Sequence, residues 1–147
     1  MLSISHYGRP YVDDARDRID AQVAAWRELA DAGARFRGSG AAKVEYEQAA
    51  AAFEVTYFTN LVHVLDNYFA RRDRALEGED GNALNEVRVL CASLMNNGGK
   101  LAADQRIGLA PERSVLGYTA GDPIRLGEED FVRLAEAFFA EIEAKFV

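Results

Sequence analysis

AAKVEYEQAAAAFEVTYFTNLVHVLDNYFARRDRALE, residues 41–77, decides the fold, because it runs from Ala41 to Glu77 without a glycine or a proline. Within it Phe58, Leu61, Val62, Leu65, Phe69 and Leu76 recur at helical spacing and form one apolar stripe. Phe53, Tyr57, Val64 and Tyr68 form a second stripe beside the first. An arc that wide requires burial against more than one neighbour, so the stretch reads as the central helix of a bundle. A continuous helix of this length spans roughly 55 Å at about 1.5 Å per residue, which is long for a small domain. The pattern leaves two ways to shorten it. One is a kink near Val55-Thr56. The other is an Ala-rich first half, Ala49 to Ala52, that pairs with the preceding helix as a projecting hairpin. Small residues permit close helix approach, which makes that arm the expected site of self-association.

Working outward, Pro10 and the acids Asp13, Asp14 and Asp17 mark a helix start, since acids favour the positive end of the helix dipole. Ile19, Val23, Trp26 and Ala30 follow at helical spacing and Gly33 closes the segment, predicting a helix from Tyr11 to Ala34. Arg35 to Gly40 is a turn. On the other side Gly78 to Gly81 turns the chain again and Asn82 is a good N-cap. Leu84, Val87, Leu90, Cys91 and Leu94 then face inward along a third helix, which Asn97-Gly98-Gly99 ends with residues that tolerate left-handed backbone.

Gly98 to Gly127 holds six of the twelve glycines and two of the three prolines. It also carries short alternating or β-branched pieces: Arg106 to Leu109, Ser114 to Tyr118, and Asp122 to Leu126. The stretch is too apolar for a flexible linker and reads as an ordered insert with two or three short strands. A last helix runs from Glu128, with Phe131, Leu134, Ala135, Phe138, Ile142 and Phe146 as its inner stripe. The expected fold is mainly α: a four- to five-helix bundle, one domain over residues 1–147, with a short irregular or β-hairpin insert before the C-terminal helix.

A chain of 147 residues is long enough to bury one sizeable core, and 49% hydrophobic with 28% charged residues is ordinary for a globular protein. A net charge of −7 argues against broad contact with nucleic acid or anionic lipid. Arg71, Arg72 and Arg74 form the only dense basic patch, which leaves RNA open as a partner. The single cysteine, Cys91, has no internal disulfide partner and sits among apolar neighbours, so it reads as a buried structural thiol. The N-terminal residues lack the apolar run of a signal peptide, and no stretch is apolar enough to span a bilayer. Cytoplasmic placement is the expectation, with no membrane contact.

The most polar face of the long helix holds Thr59, His63, Asp66, Asn67 and Arg74. His63 and Asp66 are three apart and share that face, and a carboxylate beside an imidazole suits a general base or a metal ligand. The plainer reading is a solvated face with a local hydrogen bond. Only His6 could add a second imidazole, so a metal site would need His63 joined by carboxylates such as Asp66 and Glu86; no metal and no cofactor is expected. Ser93 lacks the surroundings of a nucleophile elbow, and Gly98-Gly99-Lys100 follows a helix rather than a strand, so it caps that helix instead of forming a phosphate loop. Glu86 and Arg88 lie beside inward positions, where a charge needs a partner; Arg71, Arg72 and Arg74 are the candidates for Glu86. Asn96 and Asn97 suit helix capping and also offer amides to a ligand.

With Arg88 followed by six residues and then Met95-Asn96-Asn97-Gly98, the chain resembles the HEPN superfamily of helical bundles. The family pattern is arginine, four to six residues, then histidine, often followed by a polar-Asn-Gly turn and an irregular stretch before a last amphipathic helix. Gly121 to Leu126 and Glu129-Asp130-Phe131 match that lead-in, and the likeness covers about Phe53 to Phe146. Family members that cut RNA use the histidine, usually across a dimer interface. Here Ser93, Leu94 and Met95 stand in its place, and none exchanges a proton at neutral pH. The resemblance therefore implies a non-catalytic relative, a binding module of the kind found in stress, toxin–antitoxin or phage-defence settings.

The expected function is thus a homodimeric interaction protein with Glu86, Arg88, Asn96 and Asn97 as binding residues. Its partner is a protein or a small molecule, held near the groove between the long helix and the one after it. Arg88, Asn96 and Asn97 are expected near a cleft shared by the two copies. One alternative is a ribonuclease or nucleotide-handling enzyme using Arg88 with His63 and Asp66 as acid–base groups. The other is a metal-carboxylate bundle.

Overall fold

A computed structural model describes residues 2–36 and 38–147. It contains α1 (Arg9–Ala34), α2 (Ala41–Tyr68), α3 (Arg74–Glu77), α4 (Ala83–Asn96) and α5 (Glu128–Phe146). The chain is mainly helical, as its apolar periodicity predicts. Pro10 lies in the first turn of α1, where its missing N–H costs nothing. Asn82 caps α4 as expected, its side chain accepting from Leu84 N at 2.9 Å and Asn85 N at 3.2 Å. Three acids, Glu128, Glu129 and Asp130, occupy the first turn of α5.

The core lies where α2, α4 and α5 meet. Phe58, Leu65, Phe69, Leu84, Leu90, Phe131, Leu134 and Phe138 are fully buried there. Phe69 packs its ring against Phe138 and Phe139 with centroids 5.7 Å and 6.0 Å apart, while Tyr7 from the N-terminal segment meets it edge-on at 4.9 Å. Val12, Ala15, Ile19, Val23 and Trp26 cover one side of this core from α1.

The long stretch, whose continuity its pattern leaves open, is two helices, and the break falls at Tyr68 and not near Val55-Thr56. α2 stops at Tyr68, and the chain turns before α3 starts at Arg74. Asp73 caps α3, accepting from Ala75 N at 2.9 Å and Leu76 N at 3.2 Å. The N-terminal segment holds the turn in place: Ile4 N donates to Arg71 O at 2.7 Å and Asp73 N donates to Ile4 O at 2.8 Å. An aspartate cap and a partner far away in sequence thus end a run that contains no helix breaker. The second apolar stripe is also only partly covered, since Phe53 and Val64 are exposed, as is Leu76 of the first.

The first half of α2 projects beyond the core with the end of α1. Trp26 stacks on Phe53, and Phe53 on Tyr57, at the base of this arm. α1 ends at Ala34 as expected, with Gly33 in its last turn. The Tyr46 hydroxyl lies where a Gly33 Cβ would stand, so glycine is what lets that ring lie across α1.

The insert is irregular. The two or three strands expected in it are absent among the described residues, and a lone antiparallel bridge joins Lys100 to Pro123. Its apolar residues instead serve as plugs: Ile107, Ile124 and Leu126 are buried. Its polar backbone is satisfied partly within the insert, as where Leu101 N donates to Asp122 O at 2.9 Å, and partly from the helices, with Leu126 N donating to Thr59 Oγ1 at 3.0 Å and Ala102 N to Ser93 Oγ at 2.9 Å. No helix of the described residues is long and apolar enough to cross a membrane.

Candidate functional site

A groove of about 680 Å³ runs between α2 and α4, lined by His63, Asp66, Asn67, Arg88, Met95 and Asn96, with Val64, Ala70, Cys91 and Ala92. The α4 residues come from one face: at about 100° per residue, positions 88, 91, 92 and 95 cluster within a quarter turn or so on each side. His63, Asp66 and Asn67 supply the α2 wall by the same rule, and Ala70 extends it from the turn that follows α2. Four of the sequence-predicted residues, His63, Asp66, Arg88 and Asn96, therefore meet in one place. Met95, where the resemblance expects a histidine, is 72% exposed at the mouth.

Both charged members of the groove are engaged from behind. Asp66 accepts from Arg72 Nη1 at 2.8 Å rather than orienting His63. Arg88 donates to Glu77 twice, from Nε at 3.0 Å and Nη2 at 2.5 Å. The acid–base pair expected of His63 and Asp66 is thus drawn apart, because Arg72 offers the carboxylate a full charge in a less hydrated position.

Glu77 is the centre of the arrangement, and nothing in its local sequence announces it. It is fully buried at the end of the one-turn α3, within reach of Arg72, Arg74 and Arg88. Asn85 Nδ2 adds a hydrogen bond at 3.2 Å. Burial alone would raise the Glu77 carboxyl, but the Arg88 hydrogen bonds, the charges of Arg72 and Arg88 and the Asn85 amide outweigh it and hold it below the usual range. Arg72 is buried with it, donating also to Phe69 O at 3.0 Å and Leu84 O at 3.1 Å, its guanidinium 5.5 Å from the Phe138 ring centre. The nearest signal is Arg72, which falls three residues after Phe69 in the apolar stripe, where a buried cation needs an acid; Arg71 and Arg74 are exposed and signal nothing.

Glu86 does not join the groove. It sits two residues before Arg88, about 200° around the helix, and faces the insert. None of Arg71, Arg72 and Arg74 reaches it; its carboxylate accepts from Val115 N at 2.8 Å and Leu116 N at 2.9 Å instead. Burial raises its pKa, and the two backbone N–H groups only partly oppose that. Glu86 thus pins the insert to α4. With Glu86 turned away, the metal-carboxylate alternative loses its ligand set, and no cluster of three or more His, Cys, Asp or Glu side chains among the described residues is placed to hold a metal.

Asn97 likewise spends its side chain on structure, donating to Lys100 O at 2.7 Å as α4 ends, while Gly98 and Gly99 take φ of 62° and 78°. Asn96 stays exposed and also edges a second, smaller groove with Asn97, Ala102 and Asp104. Cys91, on the wall of the main groove, is a buried free thiol whose pKa burial pushes up to about 12. At neutral pH it is a small hydrophobe, as its neighbours suggest.

Compared with known protein families, characterised proteins and solved structures, the chain gives no match.

Proposed function

We propose that this chain is a non-catalytic, HEPN-like interaction module of the cytoplasm. Its α2–α4 groove holds a small molecule or a segment of a partner protein, and it works as a homodimer, in a stress or defence setting. The observation that carries this reading is the internal pairing of Arg88 with Glu77 and of Asp66 with Arg72. A groove whose only two charges are already neutralised has little to offer a transition state. Its apolar floor of Ala92, Ala70 and Val64, edged by His63, Asn67 and Asn96, suits a mostly apolar ligand oriented by a few amides.

His63 and Arg88 lining one groove favour a second reading, a ribonuclease or nucleotide-handling enzyme. One pair of measurements separates the two. Purified protein is incubated with mixed-sequence single-stranded RNA, alone and as His63→Ala and Arg88→Ala. Amide shifts are mapped against a small-molecule fragment set. The interaction reading expects intact RNA and perturbations gathered at Ala92, Met95 and Asn96 that disappear in Ala92→Arg. RNA cleavage lost in both alanine variants would replace it with the enzyme reading, and fragments that leave those three amides unmoved would remove the groove as a binding site.

A further inference from the structure

The arm formed by the end of α1 and the start of α2 carries apolar surface that the core does not use. Leu29, Phe36, Val44, Tyr46 and Phe53 are each 38% exposed or more, and all lie on this one hairpin. A groove of about 360 Å³ runs along it, floored by Ala30, Gly33, Ala50 and Ala51 and walled by Leu29 and Tyr46. Residues 41–49 are exposed throughout, so the arm stands clear of the bundle for roughly 15 Å.

We infer that this arm is where two copies of the chain pair, their hairpins packing into a four-helix bundle. The inference takes up the homodimer part of the proposed function and does not depend on what the α2–α4 groove binds. The area is of the right size. Three aromatic side chains about half exposed present roughly 250–300 Å², and Leu29 and Val44 bring the apolar total to the order of 400 Å², the size at which an exposed patch on a soluble protein marks an interface. A standard interface buries about 800 Å² on each partner, a little over half of it apolar. A two-fold pairing of the arm with itself supplies about that amount.

The shape fits the same occupant. Small residues on the floor let a second helix approach, and Leu29 and Tyr46 stand as the ridges that a facing groove accepts. Ala50 lies roughly 20 Å along α2 from His63, so a dimer made this way leaves both α2–α4 grooves open. It does not bring Arg88, Asn96 and Asn97 to a cleft shared by the two copies, in contrast to the expectation from the sequence.

The experiment is light scattering and sedimentation equilibrium on the full chain from about 1 to about 100 µM. Ala50→Arg blocks the groove floor, Leu29→Lys and Val44→Lys change exposed positions that leave the core untouched, and Ala92→Arg alters the α2–α4 groove. Circular dichroism melts verify that each variant is folded. The wild type is expected to be a dimer, the arm variants to raise its Kd by roughly 30-fold or more, and Ala92→Arg to leave it unchanged. A wild type that stays monomeric to about 100 µM overturns the inference. So does a dimer that survives every arm variant, or one that Ala92→Arg alone dissociates, which would move the pairing to the groove.

Discussion

Arg88 and Glu77 lie eleven residues apart on different helices and meet side by side, Nε on Oε1 at 3.0 Å and Nη2 on Oε2 at 2.5 Å. The pair turns a residue that the sequence offers as a functional cation into the outer half of a buried ion cluster. Arg72 completes the cluster from the inside, with no exposed side-chain surface.

Removing the central acid should therefore be costly. Glu77→Ala leaves Arg72 buried with one carboxylate, Asp66, that is itself partly solvated. The expected loss is about 3–5 kcal/mol, the usual result of breaking a buried pair from one side. In a chain of this size that lowers Tm by roughly 10 °C or more. A urea titration giving a loss below about 1 kcal/mol would show that Arg72 is satisfied without Glu77.

Glu77 and Glu86 should give opposite pH dependences. The Glu77 carboxyl is held low, so its contribution is present above the ordinary glutamate range and disappears as pH falls through its lowered value. The Glu86 carboxyl is raised by burial, so the folded state binds its proton more tightly than the unfolded chain does. That contribution is present below the ordinary value of 4.5 and is lost as pH rises above it toward the raised value. Glu86→Gln cannot titrate, and its stability should decline less than that of the wild type as pH rises from 4.5 toward neutrality. Identical slopes in urea titrations across that window would refute the burial argument.

Glu86 also has a local readout. In Glu86→Ala the amides of Val115 and Leu116 lose their acceptor. Hydrogen exchange at those two amides should quicken by about tenfold or more, while amides in the middle of α2 keep their protection. Uniform quickening across the chain would instead mean that Glu86 supports the whole fold.

Gly33 and Tyr46 should be coupled. Glycine to alanine inside a helix normally gains about 1 kcal/mol, but here the Tyr46 hydroxyl occupies the space of the new methyl. Gly33→Ala alone is expected to be neutral or destabilising, and to become stabilising by about 0.5–1 kcal/mol in a Tyr46→Ala background. Additive effects would show that the ring moves aside freely.

Cys91 should be unreactive while the chain is folded. Its thiol is buried and its pKa stands near about 12, so little thiolate exists at about pH 8. A thiol reagent should label it only slowly in native buffer and fully in denaturant. Fast native labelling would indicate that the α2–α4 groove opens to expose it.

Much of the fold was legible because its signals are local. Asn82 as a cap, the Asn97-Gly98-Gly99 ending and the inward stripe of α5 each follow from residues a few positions apart, the scale on which helix periodicity and capping act. The convergence of His63, Asp66, Arg88 and Asn96 was half legible. Each stood out by type, and the α4 members share a face by arithmetic, but no spacing rule says which face of α2 lies opposite. The break at Tyr68 was not legible, since it depends on Ile4 pairing across the turn with Arg71 and Asp73. The insert was legible as ordered and non-helical, but its lack of strands was not. Its two ends meet only in a short bridge, where Leu101 N donates to Asp122 O and Ile124 N to Gly99 O. Other backbone groups, such as Val115 N and Ala102 N, are claimed by Glu86 and Ser93 of α4.

By itself the sequence determined that this chain is helical, where most of its helices begin and end, and which stripes enter the core. Those properties come from periodicity and caps, and each is complete within a turn or two of chain. Only the tertiary structure decided what the charged and polar residues do. Arg88 could have served a ligand and Glu86 a partner, yet Glu77 claimed the first and the insert claimed the second. A buried charge takes the best partner within a few ångströms, whatever its distance along the chain, because leaving it unpaired costs more than any local preference supplies.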